Sequence, residues 1–342
     1  MILASINASQ REKFGASYLE PHCNMMSRTA IEMSVKRLQH IAVTGVMVLA
    51  VLASTAFAQG GKQRGGPKPV TVPISIRLRG ETSGEMRFVD FILREDGDVQ
   101  REVSKRSRLD SPMTLAVIFQ DDLASSAAVD MKNMAGFIRN QPEGSRVMIG
   151  YIRPGSLEVR KKFTNELDKV AESVRAPLSL PSAGAYNPYV EIIEGLKRFD
   201  SQPMSRRAMI VISDGIDISR DTASSSPAQS IDLQRAISEA QRRAVAIYSI
   251  FVPPAAPSLQ SFVLNGQSCL QRLSDETGGR AFFQGTAAPV SFEPFLKEAD
   301  LLMSMQIAYT YLSTHPNKGF HKLDVKPLNG DVEIRHPAGY TR

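Results

Sequence analysis

Carboxylate and hydroxyl side chains follow two apolar runs of the sequence, at the point where each run ends. Asp121, Asp122 and Ser125 come after the run 114–119, and Asp214 comes after the run 207–213. If both runs are parallel strands of one sheet, these oxygens lie at one edge and can converge on a hard cation such as Mg²⁺. The alternative is that the aspartates only cap the following helices and turns, where Asp is a favoured residue.

The sequence contains no motif typical of an enzyme. It has no Gly-x-Ser-x-Gly nucleophile elbow, no Gly-rich phosphate loop and no His-Glu-x-x-His zinc motif. Beyond residue 58 the histidines are His315, His321 and His336, all near the C-terminus, and we expect them to face solvent or to lie on edge strands. We therefore expect no catalysis. A metal-dependent hydrolase is a remote alternative, because no base or nucleophile accompanies the aspartates.

Short apolar runs alternate with segments of helical spacing. The runs typical of buried strands are 114–119, 146–152, 207–213 and 245–252. The stripe of Met131, Met134, Ala135 and Ile138 indicates a helix with one buried face. Together they predict an α/β fold, a doubly wound and mostly parallel sheet with helices on both faces. The ligand crevice of such a fold lies at the carboxyl ends of the strands, where the strand order reverses.

The flanking segments alternate apolar and polar residues, which is typical of strands with one wet face. We expect them to form a small antiparallel β-subdomain, with residues 70–110 pairing with residues 306–342. Asn329-Gly330 is a hairpin-turn signal within the second flank. The predicted central α/β domain is then residues 111–305.

The composition excludes several classes of protein. The chain has 342 residues, of which 42% are hydrophobic and 22% are charged, as in an ordinary globular protein. The formal net charge of +6 is small for this length, and basic residues cluster only in the N-terminal segment, so we expect no nucleic-acid partner. Two cysteines cannot build a disulfide scaffold or a Cys-rich zinc module.

The N-terminal segment has the features of a secretory signal. Within residues 33–58 a basic start is followed by an apolar stretch and by the small-x-small site Ala56-Phe57-Ala58. Residues 1–32 are then an upstream extension, and the Gly- and Pro-rich residues 59–69 are a flexible linker. We expect an exported protein, periplasmic or secreted, with no stable membrane anchor after cleavage and with Cys269 as its one thiol.

The order of these elements resembles a von Willebrand factor A-type domain, and more closely the exported bacterial VWFA-related family. Local matches to that family support the resemblance along most of residues 70–342: Asp90-Phe91, Glu95-Asp96-Gly97, Glu276-Thr277-Gly278-Gly279, Ala308-Tyr309-Thr310-Tyr311 and the terminal Gly339-Tyr340.

The resemblance implies a metal-ion-dependent adhesion site, in which Mg²⁺ or Mn²⁺ is held by Asp-x-Ser-x-Ser, a Thr and a further Asp. Asp121, Ser125 and Asp214 match ligands of that site, whereas Leu123 replaces the first Ser. A frame shifted by one residue offers Asp122 and Ser126 instead. The Thr position falls on Ala185 or Tyr186. The implied site is therefore degenerate.

The resemblance implies an exported protein-binding or adhesion module that recognises a protein partner through this edge, with or without Mg²⁺ or Mn²⁺. The alternative is a metal-independent structural or assembly component of the cell envelope. Fold alone does not identify the partner.

Overall fold

The computed structural model describes residues 66–78, 89–179, 187–220, 225–328 and 332–342, without the side chains of 127–129. The predicted upstream extension, the signal peptide, most of the linker, Ala185, Tyr186 and the Asn329-Gly330 turn lie outside these residues. No helix within them is both long and apolar enough to cross a membrane.

The described ranges contain fourteen strands: β1 (Lys68–Leu78), β2 (Phe91–Glu95), β3 (Asp98–Val99), β4 (Arg101–Arg106), β5 (Thr114–Gln120), β6 (Arg146–Arg153), β7 (Ser156–Thr164), β8 (Arg207–Ser213), β9 (Ala246–Phe251), β10 (Ala281–Phe282), β11 (Gln306–Ser313), β12 (Phe320–Pro327), β13 (Val332–Arg335) and β14 (Gly339–Thr341). They contain six α-helices: α1 (Met131–Arg139), α2 (Leu167–Glu172), α3 (Pro188–Lys197), α4 (Ile231–Arg242), α5 (Val263–Glu276) and α6 (Glu293–Ser304).

The central sheet has six strands in the order β10-β9-β8-β5-β6-β7. Its strands pair in parallel, except that β7 runs antiparallel to β6. Along the chain β5 is the first strand of this sheet and β8 the fourth, so the strand order reverses between them. The crevice of a doubly wound sheet therefore lies between the carboxyl ends of β5 and β8, directly before Asp121 and Asp214.

Helices cover both faces of this sheet. Every residue of β5, β8 and β9 is buried, which explains why these strands are continuous apolar runs. Helices α1, α2 and α6 contribute buried side chains to the core on one face, and α3, α4 and α5 contribute to the core on the other. The predicted α/β fold class is confirmed.

The flanking segments form two four-stranded antiparallel sheets, in the orders β13-β1-β11-β4 and β14-β12-β2-β3. Each sheet combines strands from both flanks, since β1 pairs with β11 and β2 pairs with β12. Buried apolar side chains from both sheets form a third core, which includes Ile74, Leu93, Tyr311 and Leu323. The antiparallel part of the fold prediction is thus also present.

The expectation that all three histidines face solvent or lie on edge strands is wrong for His321. This residue lies on β12, which is bounded by β14 and β2, and it is only 4% exposed. The side chains of β12 alternate, and His321 shares the inward face with Leu323 and Val325. Tyr340 stacks on its ring, with the centroids 5.1 Å apart.

Candidate functional site

Asp121 follows β5 at the switch point of the sheet, and its carboxylate is enclosed by basic groups. The guanidinium of Arg175 donates two hydrogen bonds to it, of 2.6 Å and 2.8 Å, one to each oxygen. Arg153, the last residue of β6, donates to Oδ2 at 3.1 Å, and the Leu178 N–H donates to Oδ1 at 3.0 Å. A bidentate Arg–carboxylate pair is among the strongest hydrogen-bonded pairs in proteins. Both oxygens of Asp121 are therefore occupied.

The partners of Asp121 set its charge state. Burial disfavours the ionised form, but the hydrogen bonds and the charge of Arg175, together with the Leu178 N–H, outweigh burial and hold the pKa of Asp121 below its ordinary value. Asp121 is therefore ionised and neutralised by arginine at neutral pH.

The side-chain amide of Gln120 connects the two remaining aspartates of the edge. Its Nε2 donates to Asp122 Oδ1 at 2.9 Å and to Asp214 Oδ2 at 2.8 Å. Its Oε1 accepts from the Asp214 N–H at 3.2 Å and from the Ser213 hydroxyl. The backbone N–H can only donate, so it fixes the orientation of the amide and directs the NH₂ group between the two carboxylates.

Burial raises the pKa of Asp214 to about 7, and the charge of Asp122 adds to the rise, although the Ile216 N–H and the Gln120 amide oppose it. Burial likewise raises the pKa of Asp122, which is 9% exposed. The pair therefore carries less than its full negative charge near neutral pH.

Close backbone contact positions the loop that carries Asp214. Gly215 has a φ of +69°, and the Tyr189 hydroxyl donates to its carbonyl at 2.6 Å. A Cβ at Gly266, in the first turns of α5, would lie 2.1 Å from the Asp214 carbonyl oxygen. The absence of a side chain at Gly266 therefore lets α5 rest directly on this loop.

The structure does not bring Ser125 and Ser126 into the buried set. Both are exposed, in the short 3-10 turn Ser125–Asp130, whereas Leu123 is fully buried. The loop of the predicted Thr position, at Ala185 and Tyr186, lies outside the described residues. Next to it, Asn187 caps α3 by accepting from the Tyr189 N–H.

These residues do not fit a divalent cation in the manner that the resemblance implied. Both oxygens of Asp121 accept from Arg175, and the Gln120 NH₂ group, a donor, stands between Asp122 and Asp214. Within the described residues, the group of three His, Cys, Asp or Glu side chains close enough to share a metal ion lies elsewhere, at Glu95, Asp96 and His321.

The sequence interpretation missed three residues that satisfy these aspartates: Gln120, Arg153 and Arg175. Two of them carry a signal. Gln120 and Arg153 are polar residues that end buried strands, so each lies at the same edge as Asp121. Arg175 lies in an irregular segment after α2, and nothing in its local spacing marks it.

Large apolar side chains are exposed around this edge. Leu178 is 50% exposed, Val190 41%, Ile231 55% and Leu264 65%. Leu178 contacts Asp121 through its N–H, and the other three lie in the first turns of α3, α4 and α5. Helices α4 and α5 follow the carboxyl ends of β8 and β9, and Tyr189 of α3 hydrogen-bonds the Gly215 carbonyl after β8, so all four side chains lie at the carboxyl end of the sheet.

No protein-family model and no curated protein matches this sequence. Among solved structures, an aerotolerance-related membrane protein from Bacteroides fragilis with multiple mutations to serine is 13% identical over 56% of this chain and 98% of that chain, with a TM-score of 0.38. The conserved hypothetical protein BatB from Bacteroides thetaiotaomicron is 12% identical over 56% and 98%, with a TM-score of 0.38. The SpRpn10 VWA domain is 15% identical over 56% and 94%, with a TM-score of 0.33.

The strand order with its one antiparallel edge strand, the helices on both faces and the aspartates at the switch point give residues 114–304 the fold that the resemblance to a von Willebrand factor A-type domain implies.

Proposed function

We propose that this protein is an exported, non-catalytic protein-binding module whose partner docks on the carboxyl edge of the central sheet without a bridging metal ion. The observation that supports this proposal is the set of exposed apolar side chains Leu178, Val190, Ile231 and Leu264 around buried, hydrogen-bonded carboxylates. Large apolar side chains exposed at the ligand-binding end of a doubly wound sheet are suited to contact with a protein partner.

The carboxylates at this edge already have hydrogen-bond partners within the chain itself. Arg175 neutralises Asp121, and the Gln120 amide bridges Asp122 and Asp214. A partner therefore does not need to supply a carboxylate to complete a metal coordination shell. We expect instead that apolar contact with the exposed side chains provides most of the binding free energy.

Site-specific photocrosslinking in intact cells tests the location of the contact. A crosslinking residue at Ile231 or Leu264 should give a discrete protein adduct that persists when EDTA is added. Leu109 and Met204 are matched controls, because they are 76% and 48% exposed and lie before β5 and β8, at the amino ends of the strands. Adducts at the controls alone would favour a structural envelope component, and adducts lost with EDTA would contradict metal-independent binding.

Export rests on the signal-like residues 33–58. We expect the protein recovered from the periplasmic or secreted fraction to begin at Gln59. Mass spectrometry of its N-terminal peptide checks this expectation, and an intact N-terminus in the cytoplasmic fraction would contradict it.

A further inference from the structure

Carboxylates and imidazoles also meet in the antiparallel sheets. Glu95 ends β2, Asp96 follows it, and His321 lies near the start of β12. One ligand atom from each of these three residues lies within 4.8 Å of the other two. His315, in the connection from β11 to β12, directs Nδ1 towards the same carboxylate, 3.8 Å from Glu95 Oε1.

The imidazole of His321 is oriented by its neighbours. Nε2 lies 3.0 Å from the carbonyl oxygen of Asn317, which can only accept, so Nε2 carries a hydrogen. Nδ1 then faces Asp96 Oδ2 at 2.8 Å and Glu95 Oε1 at 3.5 Å. A proton or a metal cation at Nδ1 would satisfy both carboxylates.

His315 has the same arrangement. Its Nε2 lies 3.3 Å from Asp98 Oδ2, while its buried Nδ1 has no hydrogen-bond partner among the described residues. Metal-bound histidines almost always donate their second ring N–H to a carboxylate or a backbone carbonyl. His321 is thus held as a metal-bound histidine is held, and both imidazoles have Nδ1 towards Glu95.

Glu95 supplies the independent observation that points to a ligand. Its side chain is 0% exposed, and Oε1 accepts from the Ser313 and Tyr340 hydroxyls at 3.0 Å each. Its buried Oε2 has no hydrogen-bond partner among the described residues. The other oxygen, Oε1, faces both imidazoles, 3.5 Å from His321 Nδ1 and 3.8 Å from His315 Nδ1, and a cation held there by this carboxylate would offset the cost of burying its charge.

We propose that Glu95, Asp96, His315 and His321 bind a divalent transition-metal cation. Two imidazoles and two carboxylates are a ligand set that Zn²⁺ accepts in tetrahedral sites. The Asn317 carbonyl accepts from His321 Nε2, Asp98 Oδ2 lies 3.3 Å from His315 Nε2, and the hydroxyls of Ser313 and Tyr340 orient Glu95. This site is independent of the function proposed for the carboxyl edge.

A cation here would connect the two flanks of the chain. Glu95 and Asp96 precede the central domain, whereas His315 and His321 follow it. Because the unfolded chain does not hold these residues together, binding stabilises the folded state. Zn²⁺ should therefore raise the melting temperature of the protein.

Zinc titration of the purified full chain, without a histidine tag, tests the proposal. Calorimetry should show one Zn²⁺ bound per chain, and Co²⁺ used as a probe should give visible absorption bands that Zn²⁺ abolishes. His315→Ala is the first variant, because His315 is 23% exposed and its loss should leave the metal-free protein folded. It should weaken Zn²⁺ binding more than about 10-fold, the lower limit for losing a residue that only supports a ligand.

His336→Gln is the matched control, because His336 also lies in the C-terminal flank and hydrogen-bonds the Pro337 carbonyl at 2.8 Å. It should bind Zn²⁺ as the wild type does. The proposal is overturned if the wild type binds no Zn²⁺, if His315→Ala binds it as tightly, or if His336→Gln loses binding to the same extent.

Discussion

Three aspartates follow two neighbouring strands of the central sheet, and their carboxylates find partners in two ways. Asp121 is ionised against Arg175, with help from Arg153. Asp122 and Asp214 share the NH₂ group of Gln120, and burial raises the pKa of both. At the scale of residues, this edge is a self-contained network of hydrogen bonds.

The substitution Arg175→Met should destabilise the protein by about 3 kcal/mol at pH 7, since it leaves the buried Asp121 carboxylate without its main partner. The low pKa of Asp121 stabilises the folded state above the carboxyl's ordinary pKa, and this contribution disappears as the pH falls through the folded value. The difference from the wild type should therefore shrink in acid. Urea unfolding measures both effects.

Lys169→Met is the control, because its pair with Glu166 is exposed at the surface. It should leave stability nearly unchanged, because an exposed ion pair is screened by solvent. Equal effects of the two substitutions would show that the Arg175 pair adds no stability.

Asp214 should make stability depend on pH in the opposite direction. Between pH 4 and 7, the unfolded chain ionises this carboxyl while burial keeps it protonated in the fold, since its folded pKa is about 7. Stability should fall by up to about 1.4 kcal/mol per pH unit across that window and then level off. Asp214→Asn should flatten the profile, whereas the exposed control Asp168→Asn should not. Parallel wild-type and Asp214→Asn profiles would contradict the burial effect.

At the scale of elements, the buried strands could be predicted because a short continuous apolar run is typical of a strand that is covered on both faces of its sheet. The run predicted at 207–213 is strand β8 with the same bounds. Helix α5 begins at Val263, although a regular apolar spacing starts only near Leu270. Polar residues and Gly266 interrupt its apolar spacing, and the reason for Gly266 is a contact with the distant Asp214 loop.

Gly266→Ala should destabilise the protein by about 1–3 kcal/mol, because its Cβ would collide with the Asp214 carbonyl oxygen. Gly136→Ala, in α1, is the control. Nothing lies within 4 Å of a Cβ at Gly136, so alanine should stabilise that helix by about 0.5–1 kcal/mol. Thermal unfolding distinguishes the two, and stabilisation by both would contradict the tight contact between α5 and the loop.

At the scale of the whole molecule, the sequence predicts where the carboxyl edge of the sheet lies. It does not predict which side chains hydrogen-bond the aspartates at that edge. Parallel strands bring Asp121 and Asp214 to one edge in any doubly wound sheet. Their partners depend on tertiary contact, since Arg175 reaches Asp121 from beyond β6, β7 and α2. The strand register that joins the two flanks also depends on tertiary contact, since β1 pairs with the distant strand β11.

Arg206 hydrogen-bonds residues of the central domain and of the C-terminal flank. Its substitution therefore tests how these two parts of the molecule are joined. Its buried guanidinium donates to the carbonyls of Ser111 at 3.1 Å and Gln306 at 2.8 Å, and also to that of Met303. Burial lowers its pKa to about 10, so it is still charged at neutral pH. Arg206→Met should cost about 3 kcal/mol, because it leaves buried carbonyls unpaired.

The exposed Arg198→Met should change stability by less than about 0.5 kcal/mol. If Arg206→Met were as mild in urea unfolding, Arg206 would not be joining the two parts of the molecule.

The central claim is that the carboxyl edge of this A-type domain functions without a bridging metal ion, and Mg²⁺ titration of the purified protein tests it most directly. We expect no binding heat and no change in melting temperature in the wild type, because Arg175 and Gln120 already occupy the carboxylates. Saturable Mg²⁺ binding that is abolished by Asp214→Ala and retained in His315→Ala would contradict the claim.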